Sequence, residues 1–437
     1  MGAAYKAVQL GADMLMTDGE VIHPVPQGVY QPGLGSVATR LAGRFDDEGV
    51  VMVDLDAARA MRLPTTRAEL AAVEGDHVLL REIRSEGWEV KKLTDWTTLR
   101  REGLTLRVGI LPAIEPATFP LLDPDPADGM GTLTSLALWH RVTGSAYHGT
   151  TGIAGTAVLS RVTTVGVKKL QPTWKPKIAS VPGFEDDFHA DHFRAPASGM
   201  RFAHAYDANR AYIAAAANAI LAPWQLKQGG VKFDPKMAGW WLCELSPWND
   251  RRIPDPAGYS QEKGPRWIST ATVALLQQLT EEGVYGGVQI KDSRVCAGSE
   301  LLRPWAWKMR DAYAAAAGAT DDPRDADRVL KALKESGRKT LGMLASETNW
   351  IYRPDWWYSI IATDRANRWR KMWKTGREQN RWPLWIDVDN VWYASDVEDG
   401  AAAIPAGWNL DPTGLKLGAY KHKATRKSRV AGDGDGK

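Results

Sequence analysis

Cysteine is nearly absent. The 437 residues hold two, Cys243 and Cys296, too few for a disulfide framework or a cysteine-based zinc site, and in keeping with a reducing cytoplasm. Long apolar runs are missing too. Nothing reaches the roughly eighteen residues that suggest a membrane span, the alanine-rich stretch after Tyr212 is too short, and the opening Met1-Gly-Ala-Ala-Tyr-Lys lacks the apolar core of a signal peptide. No membrane partner is therefore expected. No internal repeat is visible, which sets aside solenoids and propellers. An excess of one charge is also lacking: 55 basic residues face 52 acidic ones, for a net charge of +3. Any track for a polyanion must then come from local clustering rather than from the average.

Apolar residues and tryptophan are abundant. A hydrophobic content of 44% excludes a disordered chain, and the length suggests two or three domains of about 150 residues each. Four of the 20 tryptophans precede residue 200 and sixteen follow it, so flat rings concentrate in the second half, as core or as platforms for bases. Trp369 and Trp373, one turn apart on a helix expected over residues 361–377, should pack beneath a sheet. Arg365, Arg368, Arg370, Lys371, Lys374 and Arg377 on that helix form either a solvated face or a track for a phosphate backbone.

The pattern Trp385-Ile386-Asp387-Val388-Asp389-Asn390, followed by Val391-Trp392-Tyr393, reads as a strand, an acidic turn and a returning strand. Upstream lies a second acidic segment, Tyr206-Asp207-Ala208-Asn209-Arg210-Ala211-Tyr212. Between them Lys331, Lys334, Arg338 and Leu341 share one face of an expected helix. Singly, each has an ordinary explanation: a solvated turn, a helix N-cap at Asp207 before the alanine run, a charged surface. Together and in this order they form the layout of a two-metal nucleotidyl-transfer site. That chemistry needs two ions about 3.5–4 Å apart, and Mg2+ takes one or two carboxylates with substrate phosphates. Asp207 and Asp389 are the expected ligands, with Asp387 supporting them, and the basic helix would hold the triphosphate.

These segments resemble the polymerase motifs of family B DNA polymerases, especially the protein-primed branch of phages and linear plasmids. Asp207-Ala-Asn-Arg-Ala-Tyr212 is similar to the first motif, Asp-x-x-Ser-Leu-Tyr-Pro. The resemblance implies metal binding at Asp207, a backbone contribution at Ala208, and a sugar-screening ring at Tyr212. Lys334-x-x-x-Arg338-Lys339-x-Leu341-Gly342 resembles the fingers motif Lys-x-x-x-Asn-Ser-x-Tyr-Gly, which gives Lys334 and Arg338 to the triphosphate, joined by Arg310 from residues 302–310. Asp387-Val-Asp389-Asn resembles the Asp-Thr-Asp-Ser turn. Leu415–Lys423 resembles the end of the palm, where Tyr420, Lys421 and Lys423 would meet the primer strand. Gly239–Leu245 reads as a palm strand, and Trp267-Ile-Ser-Thr270 with the helical run to Gln278 as the family's insertion.

The departures bear on activity. Arg338-Lys339 replaces Asn-Ser, and Leu341 replaces the aromatic that packs against the nascent base pair. The sequence ends about a dozen residues after Lys423, where the family builds its thumb, so processive synthesis by this chain alone is not expected.

The first half is less legible. Val50–Val53 reads as a strand leading into Asp54 and Asp56, Leu104–Leu111 as another, Leu133–Val142 as a helix, and Phe119–Leu122 as a short edge strand. The resemblance implies a ribonuclease H-like exonuclease domain here or its remnant, with Asp54, Asp56, Asp123 and Asp125 as candidates; a structural or template-binding remnant is the favoured reading. Residues 171–199, with four prolines, read as a linker in which His189 and His192 are expected to be exposed rather than zinc-bound.

The expectation is thus an α/β (α+β) protein: an N-terminal α/β domain over 1–190, palm and fingers over 195–425, and a disordered tail over 426–437. Its activity would be Mg2+- or Mn2+-dependent transfer of deoxynucleotides to a 3′ hydroxyl, with DNA and dNTPs as partners and a second protein supplying thumb, primer hydroxyl or processivity. A bacterial or phage-infected cytoplasm fits that resemblance. Priming or template-independent transfer is the alternative among enzymes, and a non-catalytic nucleic-acid-binding accessory protein the alternative outside them.

Overall fold

The computed structural model describes residues 6–11, 14–17, 22–24, 30–31, 33–123, 129–162, 200–258, 264–319 and 323–427. The chain divides into two compact units, residues 1–162 with 311–340 and residues 163–310 with 341–437. The fold is mixed α and β in both. The expected linker and its histidines, Asp125, and the tail beyond Lys427 lie outside the described residues.

The first unit is built on a six-stranded sheet ordered β3-β2-β1-β4-β6-β5. Its strands are β1 Ala7–Leu10, β2 Met14–Thr17, β3 Ile22–Pro24, β4 Glu48–Val53, β5 Trp96–Arg101 and β6 Leu104–Ile110. The β1–β4 and β4–β6 pairs are parallel and the others antiparallel. Every residue of β4 is buried, as an interior parallel strand covered on both faces requires. Helices α1 Leu34–Ala42, α2 Leu55–Ala60, α3 Arg67–Ala71 and α4 Val78–Ser85 follow, then α5 Gly129–Thr143 and α6 Thr151–Val162. Asp54 serves as a helix cap: its carboxylate accepts from Ala57 N at 2.8 Å at the start of α2. Phe119–Leu122 is not a strand. Pro116–Thr118 forms a 3-10 turn and the chain folds back, burying Phe119 and Leu121, because proline removes the ladder donor that an edge strand needs.

The second unit carries two four-stranded antiparallel sheets, β10-β9-β11-β8 and β12-β13-β7-β14. Their strands are β7 Phe202–Ala208, β8 Lys227–Gln228, β9 Met237–Leu245, β10 Arg266–Ser269, β11 Val288–Ala297, β12 Trp385–Asp387, β13 Asn390–Ser395 and β14 Tyr420–Lys427. The helices that follow in chain order are α7 Ala211–Ala216, α8 Thr270–Glu281, α9 Arg303–Ala317, α10 Pro323–Ala345 and α11 Pro354–Gln379. The boundary between the units falls within α9 and again within α10. Ser269 caps α8. Gly239 has φ 143° and the backbone of Arg294 where a Cβ would stand, so only glycine fits where β9 meets β11.

Alternation on β7 and β13 sends Tyr206, Ala208, Val391 and Tyr393 into a core shared with Leu275 and Leu276 of α8 and Trp369 and Met372 of α11. Trp369 and Trp373 stack with centroids 5.3 Å apart. Two of the cations on α11 are not on a solvated face: Arg365 and Arg368 are buried, with Arg368 on Asp364 at 2.7 Å and Arg365 donating to Thr272 at 2.8 Å.

Candidate active site

Asp207 is the last residue but one of β7, the second strand from the β14 edge of its sheet. In register it faces Asn390 on β13 and Lys421 on β14. It is not a helix cap. The residue preceding α7 is Arg210, in the left-handed region at φ 50°, and the helix stops at Ala216 although the alanine run goes on. Tyr206 and Ala208 turn into the core, so the period of two sends Asp207 to the opposite face. There it is 8% exposed.

Asp387 and Asn390 close the β12–β13 hairpin as a register pair, leaving Val388 and Asp389 as its two-residue turn. Val388 has φ 54°. A β-branched residue in that region is an outlier, and such strain persists where the surrounding structure fixes it. Here the hairpin fixes it: Asn390 Nδ2 donates to Asp387 O and to Asp389 Oδ1, both at 3.2 Å. The turn thereby carries the half-buried Asp389 to Asp207, while Asp387 is exposed at the end of β12.

The electrostatics mark these two carboxylates as a pair. Burial, and then the adjoining Asp207 carboxylate, push Asp389 up to about 7, with Arg368 and Lys423 acting in the opposite sense. Apart from the Asp389 carboxyl, which bonds to the Asp207 carboxylate when protonated, Asp207 Oδ1 is buried without a donor. Its Oδ2 lies 3.1 Å from Lys421 Nζ and 4.0 Å from Lys423 Nζ. A bulge between His422 and Ala424 leaves Lys423 outside the ladder. Two adjoining carboxylates that hold a proton between them suit a divalent cation in its place. Among the described residues no group of three or more His, Cys, Asp or Glu gathers at one place, so beyond this pair the shell of a cation would be completed by other oxygens, such as those of the backbone, phosphate or water.

The remaining expected residues fall as follows. Ala208 closes β7 in register with Tyr420. Tyr212, half-buried in the first turn of α7, has its ring 5.8 Å from that of Trp357. Tyr420 is 5% exposed, 4.2 Å from the Trp408 ring and beneath Lys371 Nζ at 4.4 Å, so its ring belongs to the core and not to a strand-binding surface. Arg310 is exposed on α9, its guanidinium 5.8 Å from the Trp307 ring. Lys331, Lys334 and Arg338 are exposed on α10, in the part that belongs to the first unit. Leu341 does not share their face: it is buried at 2% exposure. Of the exonuclease candidates, Asp54 is a cap, Asp56 is exposed near Arg59, and Asp123 is paired with Arg328 at 3.0 Å.

One supporting element escaped the sequence reading. Asp411 accepts from Thr413 Oγ1 at 2.5 Å and from Lys416 N at 2.7 Å, and the loop so fixed grips the end of β7. Asn209 N donates to Ala419 O at 2.7 Å, Gly418 N to Asn209 O at 2.9 Å, and Arg210 Nη1 to Leu415 O at 3.1 Å. The Asp-Pro-Thr-Gly run at 411–414 is its signal, a turn composition that says nothing of which strand it will hold.

No protein-family model matches the chain, and no curated protein does. Among solved structures it is similar to Phi29 DNA polymerase in complex with primer-template DNA and incoming nucleotide, at 13% identity over 98% of this chain and 85% of that one, with a TM-score of 0.48. The post-translocation complex of Phi29 DNA polymerase with primer-template DNA gives 12%, 97%, 84% and 0.46. Its complex with single-stranded DNA gives 11%, 97%, 84% and 0.44. Identity at this level assigns no residue a role, and the chemistry rests on the geometry above.

Proposed function

We propose that this protein is a polymerase-like nucleotidyltransferase that adds deoxynucleotides to a 3′ hydroxyl, and that Asp207 and Asp389 hold its two Mg2+ or Mn2+ ions. The observation that carries this reading is the carboxylate pair itself: a buried oxygen of Asp207 with no donor from any other residue, beside an Asp389 whose proton is held up to about 7 by burial and by Asp207. When bound, the ions supply the positive charge that clamps the attacking and leaving oxygens.

The chain's own groups do the rest. Asp389 gives up its proton for a cation to enter, so a proton competes with the cation as pH falls below about 7. Asp387, on the same hairpin, adds negative charge. Lys421, anchored on Asp207, stays beside the site as a cation for a phosphate oxygen once a metal takes over that carboxylate. The strained turn keeps Asp389 in place, and the ring of Tyr212 screens the sugar. Lys334, Arg338 and Arg310 are the cations proposed for the triphosphate. All three are exposed, so replacing them tests that role without disturbing a core.

Purified protein with Mg2+ or Mn2+ and labelled dNTPs, on primed, unprimed and template-free DNA, is the direct test. Template-matched incorporation is expected, and Asp389→Asn should lower it by roughly a hundredfold or more, since even groups that only support a metal ligand are worth 10–100-fold. Incorporation without regard to template would favour priming or terminal transfer. One observation leans that way: Leu341, where the resemblance calls for an aromatic on the base pair, is buried and offers no ring. Absence of incorporation under every condition, with DNA binding retained, would sink the enzymatic reading.

A further inference from the structure

The first unit has a cleft of its own, of about 640 Å³, along the outer edge of its sheet. β5 is the terminal strand. The segment before it runs back alongside, tied to it at one end by Glu89 and Arg100, whose backbones exchange bonds of 2.8 and 3.1 Å. At the other end Thr94 donates to Trp96 O at 2.6 Å. Between these ties no ladder bond joins the two segments among the described residues, and the cleft opens there.

Its lining is cationic. Lys91 and Lys92 stand exposed on the returning segment, Arg100 on β5 and Arg84 at the rim, against a single carboxylate, Glu89. Among the described residues Arg84 bonds only to the carbonyls of Val90 and Gly75, which leave its charge uncancelled. None of these four cations makes an ion pair among the described residues. The whole chain carries a net charge of +3, so this one cleft holds an excess as large as that of the entire molecule. Trp96, Thr98 and Arg100 alternate along β5 and face the same side, about 7 Å between neighbours, of the order of one nucleotide step in an extended strand. Trp96 is half-buried, its ring packed edge-on against Phe119 at 5.3 Å. Thr98 Oγ1 is backed by Arg107 Nη1 at 2.7 Å.

We propose that this cleft binds a single strand of nucleic acid, with phosphates on Lys91, Lys92 and Arg100 and a base against Trp96. A row of cations in a concave groove with an aromatic ring is what a phosphate backbone with flat bases requires. An acidic peptide would use the charges but not the ring, and a lone phosphate would fill little of the volume. The proposal does not depend on the carboxylate site, and its test removes that site from play.

A short labelled oligothymidylate is titrated into the full-length protein in EDTA, without dNTPs, and followed by anisotropy across a salt series. The triple variant Lys91→Gln, Lys92→Gln, Arg100→Gln should bind about tenfold more weakly or worse, and its salt slope should shrink by about 2, near 0.7 per lost phosphate contact. Glu89→Gln should bind more tightly, which covers the case in which the triple variant folds poorly. A thiothymidine-bearing strand should photo-crosslink within residues 89–101. Unchanged affinity and slope, or crosslinks that avoid this segment, would overturn the proposal. So would displacement of the strand by tripolyphosphate or polyglutamate at matched charge.

Discussion

At the scale of single residues, burial decides what a charged group does here, and it acts in opposite senses on two groups of the second unit. It raises Asp389, where a carboxylate neighbour adds to the effect, and it lowers Lys371 to about 8 from an ordinary 10.5. Lys371 lies on α11 with its amine 5.0 Å from the Trp408 ring and 4.4 Å from the Tyr420 ring. These rings attract a cation but do not restore its lost water. Between about pH 8 and 10.5 the unfolded chain binds this proton more firmly than the native one, so stability rises with pH across that window. Below it both states are protonated and the burial cost stands in full. Lys371→Met keeps the stem and removes the charge. It should stabilise the protein at pH 7 by about 1–2 kcal/mol, the cost of the ammonium's lost water less the cation–π attraction, and the gain should vanish toward pH 10.5. Urea denaturation at pH 7 and at pH 10 measures both, and a variant no more stable than the parent at pH 7 would contradict the argument.

At the scale of elements, the β12–β13 hairpin is where local conformation and function pull against each other. Val388 sits at φ 54°, a region asparagine tolerates and valine does not. Val388→Asn should therefore raise stability by about 1 kcal/mol, read as a shift in the denaturation midpoint at unchanged slope, without moving Asp389; a loss of stability would mean that the valine side chain holds the turn. The two carboxylates and the strand on either side of the turn were legible in the sequence because the apolar runs Trp385-Ile386 and Val391-Trp392-Tyr393 flank them. The strain was not, since nothing local in Asp-Val-Asp-Asn demands a left-handed valine; β12 and β13 impose it by pairing in register. Tyr420 shows the same limit from the other side. Its likeness to the segment that ends the palm placed it on the primer strand, but the alternation of β14 turns its ring inward against Trp408, a partner set by tertiary packing. Likewise the helix around Lys331–Leu341 was visible from its period, while the burial of Leu341 apart from its neighbours was not.

At the scale of the whole molecule, the first unit is discontinuous in sequence: residues 311–340 pack with residues 1–162. Asp325 on α10 accepts from Thr134 and Ser135 of α5, the latter at 2.6 Å, and from Arg328. Arg328 in turn meets Asp123 at 3.0 Å. Gly155 of α6 has the backbone of Ser336 and the hydroxyl of Thr340 where a side chain would stand, so the two helices touch through their backbones. Such contacts join residues far apart in sequence, which is why pattern alone could not place this segment. A fragment ending at residue 162 would lose the contacts that Thr134, Ser135 and Asp123 make with α10 and expose the face of α6 that receives it. We expect it to bind a hydrophobic dye and unfold without a cooperative transition, and the same fragment fused to residues 311–340 to regain one. In the full chain Asp325→Ala, which strips three donors of a buried acceptor, should cost about 3–5 kcal/mol. Both results would follow if the unit is held through this helix, whereas cooperative melting of the short fragment would show that residues 1–162 close their own core without it.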